Sequence, residues 1–192
     1  MIGNDIIDLK IALSQKKAGN KRYLDKIYTG SEKHFIKTSL NPELTLWLLW
    51  SMKEAVYKAH QRIFKLPRTL NPSKIECTIL SSGNEFKYGV GQADGINYYT
   101  SSNITSDYIH SVACSTNKQV IFNKILSNKE NLKKDFIKEF SRENSLAEDQ
   151  LYILKDEHSI PFFSIKKTRL QSSFSLSHHG RFGAYIFPLI KY

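Results

Sequence analysis

The segment Trp50–Lys58, with the sequence WSMKEAVYK, constrains the fold more than any other part of the chain. Its Trp, Met, Ala and Val residues are typical of a buried helix, and such helices rarely carry a carboxylate unless it is paired or holds a metal. Glu54 and Lys58 are four residues apart, so they share one face of that helix. The pattern indicates either a plain ion pair or a site that holds a cation on Glu54 and an anion on Lys58.

Signals on both sides place this segment within one long helix. Asn41 is a suitable N-cap, Pro42 fits the first helical position and Glu43 complements the positive end of the helix dipole. Pro67 prevents the helix from continuing, so we predict a helix from about residue 42 to residue 64. Its expected apolar face consists of Leu48, Met52, Ala55, Ala59 and Ile63.

The rest of the chain shows short strand patterns and amphipathic helices, which together predict an α+β protein with antiparallel sheets. We expect strands near residues 2–9, 74–78, 86–90, 96–100, 108–114, 151–154, 162–165, 174–177 and 183–187. We expect helices over residues 12–28, with a break at Gly19-Asn20, and over 31–40 and 129–142. The repeated order predicts two similar lobes (a pseudo-dimer), residues 1–117 and 118–192, each a helix packed on a small antiparallel sheet, with a linker near 116–118.

Composition and charge exclude several classes of protein. The chain is 41% hydrophobic and 12% aromatic, as expected of a folded globular protein, and it has no apolar run of about 18 residues that predicts a membrane span. The N-terminus has no signal-peptide pattern, and Cys77 and Cys114 are too few for a disulfide framework, so we expect a cytoplasmic protein. The net charge of +10 indicates an anionic partner: nucleic acid, a membrane surface, a phosphorylated cofactor or an acidic protein.

Two further segments carry residues suited to metal and phosphate chemistry. The first strand places Asp5 and Asp8 near Gly3 in an otherwise apolar run. Near the end of the chain, residues 177–181 (SHHGR) follow a strand and supply donors that could hold phosphate oxygens, although a plain surface turn is the alternative. Acids from two different elements suit Mg²⁺, which keeps waters and substrate phosphates in its remaining positions.

Together these segments resemble the motifs of the phosphopantetheinyl transferases, specifically the branch that activates surfactin synthetase (the Sfp type). That branch has a G-x-D strand, a W-x-x-K-E-x-x-x-K helix and a turn similar to S-H-S-G-R. Here the motifs stand at Gly3–Asp5, Trp50–Lys58 and Ser177–Arg181. Weaker similarity extends over Tyr28–Glu32, Tyr108–Cys114 and residues 129–163, so the resemblance covers most of the chain.

The order of the motifs differs from that branch. There the serine–histidine turn comes before the G-x-D strand, whereas here it comes last, as though the two lobes had been permuted. The trimeric holo-acyl-carrier-protein synthase branch has the order of this chain, but its subunits are much shorter than 192 residues. A chain with two lobes implies a self-contained pseudo-dimer with its site between the lobes, which we expect to be a monomer.

The resemblance implies an enzyme of the holo-acyl-carrier-protein synthase type. Such an enzyme transfers 4′-phosphopantetheine from coenzyme A to a serine of an acidic acyl or peptidyl carrier protein, with Mg²⁺ as cofactor. It implies that Asp5 and Glu54 are the metal ligands and that Lys58 contacts the pyrophosphate of coenzyme A. Glu54 is then the candidate to take the serine proton. Neither a nucleic acid nor a membrane is an expected partner, and the carrier's pathway (fatty acid, polyketide or peptide) is left open.

The resemblance also implies contacts to coenzyme A from the second lobe. Ser177 and His178 are expected to bind its phosphate oxygens, and Pro161 is expected to lie beside its nucleotide. The family's lysine before that proline is here an isoleucine, so that contact is missing.

The first strand departs from the family pattern as well. The third acid of the Sfp-type D-x-E pattern is replaced by Ile7. Asp8 lies one residue further on, where alternation turns it to the opposite face of the strand. Whether Asp8 joins the metal site is left open by the sequence. Lys53 is expected to pair with a neighbouring acid in a structural role.

Two alternatives to a transferase remain open at the level of sequence. A catalytically silent homologue, acting as a binding subunit, would explain the missing acid and the missing lysine. A basic nucleic-acid-binding module would explain the charge of +10 and the 21 Phe and Tyr residues, but it would leave Glu54 in an apolar helix without a role.

Overall fold

The computed structural model describes residues 1–83, 86–116 and 120–189, and these residues form five α-helices and eleven strands. The helices are α1 (Leu9–Ser14), α2 (Lys21–Ile27), α3 (Gly30–Thr38), α4 (Pro42–Phe64) and α5 (Leu132–Glu143). The strands are β1 (Ile2–Asp8), β2 (Ile75–Ser82), β3 (Phe86–Ala93), β4 (Ile96–Ile104), β5 (Tyr108–Cys114), β6 (Ile121–Leu126), β7 (Leu151–Lys155), β8 (Pro161–Ile165), β9 (Thr168–Arg169), β10 (Ser175–His179) and β11 (Phe182–Pro188).

The strands form three sheets in which every pair is antiparallel. The largest sheet has the order β1-β5-β4-β3-β2, and two three-stranded sheets have the orders β10-β11-β6 and β7-β8-β9. Strands β2 to β5 are neighbours in both the chain and the sheet, as expected where tight turns join antiparallel strands. Helices packed on antiparallel sheets confirm the predicted α+β class.

The long helix α4 has the predicted ends. The Asn41 side chain accepts a hydrogen bond from the backbone N–H of Leu44 at 3.1 Å, and Pro42 occupies the first turn. The helix stops at Phe64, where Lys65 takes a left-handed conformation with φ of 49°. The apolar face predicted from the sequence is buried against the five-stranded sheet, with only Ile63 partly exposed.

The predicted division into two similar lobes stays a prediction. Its boundary between residues 117 and 118 lies outside the described residues, as does most of the expected linker near 116–118. Helix α4 packs on the five-stranded sheet, whereas α5 packs against residues of both three-stranded sheets. The second part of the chain therefore has two small sheets where the sequence predicted one.

An aromatic cluster joins α5 to those two sheets. The predicted apolar stripe of α5 supplies Phe136 and Phe140, which are almost fully buried. The Phe140 and Phe163 ring centroids are 4.1 Å apart, and those of Phe136 and Phe174 are 4.8 Å apart. Burial of these aromatic side chains stabilises this part of the chain. Among the described residues, no helix is both long enough and apolar enough to cross a membrane.

Three elements differ from the sequence prediction, and one of them is the two-residue strand β9, which was not predicted. Strand β6 was not predicted, because the sequence of Ile121–Leu126 (IFNKIL) does not alternate cleanly; its pairing with β11 fixes it as a strand. The helix expected over residues 12–28 is two helices, with the predicted break near Gly19-Asn20. Helix α1 begins earlier than expected, at Leu9, because the Asp8 side chain caps it by accepting from the backbone N–H of Lys10 at 3.1 Å.

Strand β1 lies directly on helix α4, and Gly3 makes this close approach feasible. A Cβ atom at position 3 would collide with the carbonyl oxygen of Ala55 and would lie 2.6 Å from the backbone nitrogen of Ala59. Both atoms belong to the helix backbone, so they cannot move aside as a flexible side chain could. Gly3 therefore sets the distance between the strand that carries Asp5 and the helix that carries Glu54 and Lys58.

We expect Gly3→Ala to lower the free energy of unfolding by about 1–3 kcal/mol or more, because strand and helix must separate to admit the methyl group. Urea unfolding curves measure this loss. The matched control is Gly19→Ala, since a Cβ atom there meets no atom within 4 Å. That variant should keep wild-type stability or gain a few tenths of a kcal/mol. Equal stability of the two variants would show that β1 does not need the close approach.

Candidate functional site

The two faces of β1 have different surroundings, and this separates the two aspartates of the strand. Gly3 and Asp5 face helix α4. Asn4 and Asp8 face strands β10 and β11. All seven residues of the strand are buried, so each polar side chain on it needs a partner or a ligand. Asp8 lies on the face opposite Asp5, as alternation along the strand predicts.

Asp5 and Lys58 form a partly buried ion pair where β1 crosses α4. The Lys58 Nζ atom lies 3.1 Å from Oδ1 of Asp5 and donates to the backbone carbonyl of Asn4 at 2.9 Å. The second carboxylate oxygen of Asp5, Oδ2, is buried and has no hydrogen-bond partner among the described residues. A buried carboxylate oxygen without a donor is costly, and a bound cation would satisfy it.

Glu54 lies one helical turn before Lys58 and is half-buried. Burial raises the pKa of the Glu54 carboxyl, and the charge of Asp5 raises it further, while Lys58 and Arg68 act in the opposite direction. A divalent cation between the two side chains would relieve the repulsion that the charge of Asp5 exerts on ionised Glu54. The Asp5 and Glu54 side chains therefore fit a hard cation such as Mg²⁺.

The sequence predicts two protein ligands for the metal, and the described part of the structure contains no larger group of metal-binding side chains. In residues 1–83, 86–116 and 120–189, no three His, Cys, Asp or Glu side chains come together as a metal-binding group. Two carboxylates suit Mg²⁺, which completes its octahedral shell with waters and substrate phosphates.

Lys53 points away from this site into the interior. Its side chain is fully buried, and its Nζ atom lies 2.7 Å from Oε2 of Glu32 on α3. The ammonium also donates to the backbone carbonyls of Pro72, at 2.9 Å, and Ile75. The other oxygen of Glu32 accepts from the backbone N–H of Cys77 at 2.8 Å. The expected acidic partner of Lys53 is thus Glu32, and the pair ties α3 and α4 to strand β2.

Strand β10 lies against β1 through side chains. Ser175 Oγ accepts from the backbone N–H of Asn4 at 3.1 Å, and Nδ1 of His179 accepts from that of Asp8 at 2.9 Å. Ser177 Oγ, between them, accepts from the Asn4 side chain at 3.0 Å. These three residues of β10 share one face, so His178 is on the other face, where it is exposed. The structure thus places Ser177, but not His178, toward β1.

Asp8 holds the turn that follows β10. Both of its carboxylate oxygens accept from the Arg181 guanidinium at 2.9 Å, and one also accepts from the Arg181 backbone N–H at 3.0 Å. Gly180 has φ of 56°, and a Cβ atom there would collide with the Asp8 side chain. Because its oxygens are occupied by Arg181 and by the Lys10 N–H, Asp8 is committed to the turn and lies away from Asp5.

The Asp8–Arg181 pair should make stability depend on pH. The Arg181 hydrogen bonds lower the pKa of Asp8 to about 2 from a usual value near 4. The stabilisation is complete above the unfolded-state pKa and is lost as the pH falls through about 2. We expect it to be worth about 1–2 kcal/mol, since Arg181 is half-exposed. Unfolding free energies should therefore fall more steeply below pH 4 for the wild type than for Asp8→Asn. Asp107→Asn, which removes only an exposed contact to the same arginine, is the control; parallel curves for wild type and Asp8→Asn would contradict the assignment.

A cavity of about 320 Å³ lies beside Pro161, and it contains a functional candidate that the sequence analysis missed. Arg62 lines it, together with Lys65 and Arg169. Arg62 is buried, donates from Nη1 to the Lys58 carbonyl at 2.6 Å, and its Nε has no partner among the described residues. Burial lowers the pKa of Arg62 to about 10. Arg62 therefore places a cationic side chain at the wall of the cavity, which Asp156 also lines.

One signal for Arg62 was present in the sequence. Glu54, Lys58 and Arg62 recur every four residues, so all three lie along one face of α4. The same spacing is also expected of an arginine that only complements the helix dipole, so it does not by itself predict a functional role for Arg62.

Comparison with known families identifies one family for this chain. A family model, ACPS, described as the 4′-phosphopantetheinyl transferase superfamily, matches residues 1–113. The matched part includes β1 and α4, with Asp5, Glu54 and Lys58, and ends before residues 177–181, which are the end of β10 and the turn that follows it. None of the curated proteins matches the chain. Because the family model covers more than half of the 192 residues, the chain belongs to the 4′-phosphopantetheinyl transferase superfamily.

Proposed function

We propose that this protein transfers 4′-phosphopantetheine from coenzyme A to a serine of an acyl or peptidyl carrier protein and releases adenosine 3′,5′-bisphosphate. The observation that supports this proposal most is the group of Asp5, Glu54 and Lys58 between β1 and α4. It combines a buried carboxylate oxygen without a partner, a carboxyl of raised pKa and an ammonium. Phosphoryl-type transfer needs this combination, because its catalysis consists mainly of positioning and charge stabilisation.

Each of the three side chains has a proposed role. Glu54 takes the proton of the carrier serine as the serine oxygen bonds to the phosphorus of the pantetheine phosphate. The bond from that phosphorus to the pyrophosphate bridging oxygen breaks, and the electron pair leaves with the nucleotide. Lys58 holds a pyrophosphate oxygen as a point charge. Mg²⁺, held by Asp5 and Glu54, would supply neutralisation of the negative charge of the pyrophosphate.

The second part of the chain would bind the rest of coenzyme A. Ser177 and His178 are proposed to contact its phosphates, and Pro161 to lie beside its nucleotide. The cavity next to Pro161 is lined by three basic side chains, Arg62, Lys65 and Arg169, and by one acidic side chain, Asp156, and this excess of positive charge supports binding of the nucleotide end there. Arg62 and Lys65 there would take over the phosphate contact that the family's missing lysine provides elsewhere.

The finer classification is part of the proposal. We infer an Sfp-type enzyme with permuted lobe order, built from lobes at residues 1–117 and 118–192, active as a monomer in the cytoplasm. The contacts between β1 and β10 bring the two parts of one chain together beside the proposed site, which supports a self-contained enzyme. Light scattering that showed only an obligate trimer would contradict this inference.

The silent homologue is the second candidate, and one observation favours it. Ile7, at the position of the family's third acid, is buried in the core, and Asp8 is occupied by Arg181 instead of replacing that acid. A basic nucleic-acid-binding module is less favoured, because it leaves the buried carboxylates of the Asp5 site unexplained.

The test is incubation of the protein with coenzyme A, Mg²⁺ and an apo carrier protein, followed by chromatography for adenosine 3′,5′-bisphosphate. Our proposal predicts release of the nucleotide only when all components are present, and none with a carrier whose target serine is alanine. A silent homologue would bind coenzyme A without releasing the nucleotide. A nucleic-acid-binding module would co-purify with nucleic acid that resists nuclease.

The net charge of +10 leads to a kinetic prediction. Acidic carrier proteins should be steered electrostatically to this protein, and exposed charges are screened over about 8–10 Å at physiological salt. Raising the salt concentration at fixed Mg²⁺ should therefore raise KM for the carrier several-fold while changing kcat little. KM for coenzyme A, measured in parallel, should change less because its site is a cleft. A carrier KM that is independent of salt would show that the charge serves another partner.

A further inference from the structure

Asn4, between Gly3 and Asp5, is fully buried and connects three elements of the structure. Its side-chain nitrogen Nδ2 donates to Ser177 Oγ on β10 at 3.0 Å and contacts Nε2 of His110 on β5 at 3.2 Å. Its backbone carbonyl accepts from Lys58 Nζ on α4 at 2.9 Å. One residue thus touches both Ser177 on β10, through its side chain, and Lys58 on α4, through its backbone carbonyl.

We propose that Asn4 is a positioning residue that orients the Ser177 hydroxyl, so that its hydrogen donates to a phosphate oxygen of coenzyme A. This inference rests on the proposed function, and it adds a residue and a direction of hydrogen bonding to that site.

The direction follows from the donors and acceptors in contact. A carboxamide nitrogen carries two hydrogens, and the two atoms that face Nδ2 of Asn4 are Ser177 Oγ and His110 Nε2, which accepts in one of the two neutral tautomers. Because Ser177 Oγ accepts from Asn4, the Ser177 O–H is left to donate elsewhere. A phosphate oxygen only accepts hydrogen bonds, so a serine held in this state matches it.

The proposed orientation of the Asn4 amide requires one particular tautomer of His110. The His110 ring is buried, and burial together with the nearby charge of Lys58 lowers its pKa to about 4. The ring is therefore neutral at physiological pH, and Nε2 can accept from Asn4 when the ring proton is on Nδ1. With Nε2 as acceptor, the nitrogen of the amide points toward the ring and toward Ser177, and its oxygen Oδ1 is buried without a partner among the described residues.

The test is a double-mutant cycle on the affinity for coenzyme A, measured by calorimetry in the presence of Mg²⁺. Ser177→Ala should weaken binding about tenfold or more, since it removes a hydrogen bond to a charged group. Asn4→Asp, which is nearly isosteric, reverses the direction of the hydrogen bond between residue 4 and Ser177. The new carboxylate accepts from the Ser177 O–H, so the Ser177 oxygen presents a lone pair, and no hydrogen, to the phosphate. Asn4→Asp should weaken binding at least as much as Ser177→Ala, and the double variant should be no weaker than Asn4→Asp alone.

Two further variants make this cycle decisive. Asn123→Asp makes the same change of charge at an exposed position of β6 and should keep wild-type affinity. Asn4→Ala adds no charge to the interior, so it tests the same point if Asn4→Asp fails to fold. It should weaken binding several-fold and be non-additive with Ser177→Ala. Wild-type affinity of a folded Asn4→Ala, or additive effects in the cycle, would overturn the inference.

Nitrogen NMR of His110 gives an independent readout, because it reports the ring tautomer. The inference requires the Nδ1–H form at neutral pH, and an Nε2–H ring would overturn it.

The outcomes also separate this inference from the proposed function. If the protein modifies a carrier but the effects of the two substitutions are additive, only the role of Asn4 is contradicted. If the effects are non-additive and the protein binds coenzyme A but never modifies a carrier, only the proposed transfer is contradicted. If the protein does not bind coenzyme A, both are contradicted.

Discussion

Glu54→Gln is expected to lower kcat for transfer by about 10²–10⁴-fold while the fold stays intact. The change is nearly isosteric, but it removes the proposed proton acceptor and the charge of one metal ligand. Since burial raises the pKa of Glu54, the neutral amide should not destabilise the protein. Initial rates at saturating coenzyme A and carrier measure the loss, and the midpoint of thermal unfolding verifies the fold.

The control for this variant is Glu130→Gln, which makes the same substitution at an exposed position before α5 and should keep the wild-type rate. Asp5→Asn should also lower the rate strongly, because Asp5 is the other proposed metal ligand and the partner of Lys58. A rate for Glu54→Gln near that of the wild type at high Mg²⁺ would refute the assignment of Glu54.

Lys53→Met is expected to have the opposite profile, with a large loss of stability. It leaves the Glu32 carboxylate buried without its ammonium partner, and breaking a buried pair in this way typically costs about 3–5 kcal/mol. The Lys53 side chain is fully buried against Glu32 and does not contact Asp5 or Lys58. The folded Lys53→Met variant should therefore retain most of its transfer activity. Urea unfolding and activity at low temperature measure the two effects separately.

Lys33→Met is the matched control for this loss. Lys33 forms an ion pair with Asp25 at 2.7 Å, but both side chains are exposed. Exposed pairs contribute at most about 1 kcal/mol, so this variant should be close to the wild type. If Lys53→Met were no less stable than Lys33→Met, the pair with Glu32 would not hold α3 and α4 together.

The parts of the fold that the sequence predicted well are those with strong local signals. Helix α4 has Asn41 and Pro42 at its start and Pro67 after its end, and the structure agrees with the predicted range. Strand β1 was predicted from an apolar run, and alternation along it correctly separated Asp5 from Asp8. Strand β6 lacked such a pattern, because its conformation depends on pairing with β11, about sixty residues away.

The site was predictable in its residue types but less so in its partners. The pattern of α4 identified Glu54 and Lys58, and an acidic partner was expected for Lys53. That this partner is Glu32 depends on how α3 packs against α4, which no local pattern encodes. The bond between Asn4 and Ser177 joins residues 173 positions apart, so only the fold reveals it. Arg62 was missed because its burial depends on contacts with the distant residues around Pro161.

The most direct test of the central claim is the intact mass of an apo carrier protein after incubation with this protein, coenzyme A and Mg²⁺. The account predicts that the carrier gains the mass of one phosphopantetheine group, that fragmentation places it on one serine, and that Glu54→Gln or a metal chelator abolishes the gain. A folded wild-type protein that leaves the mass of acyl and peptidyl carriers unchanged in the presence of Mg²⁺ would contradict it.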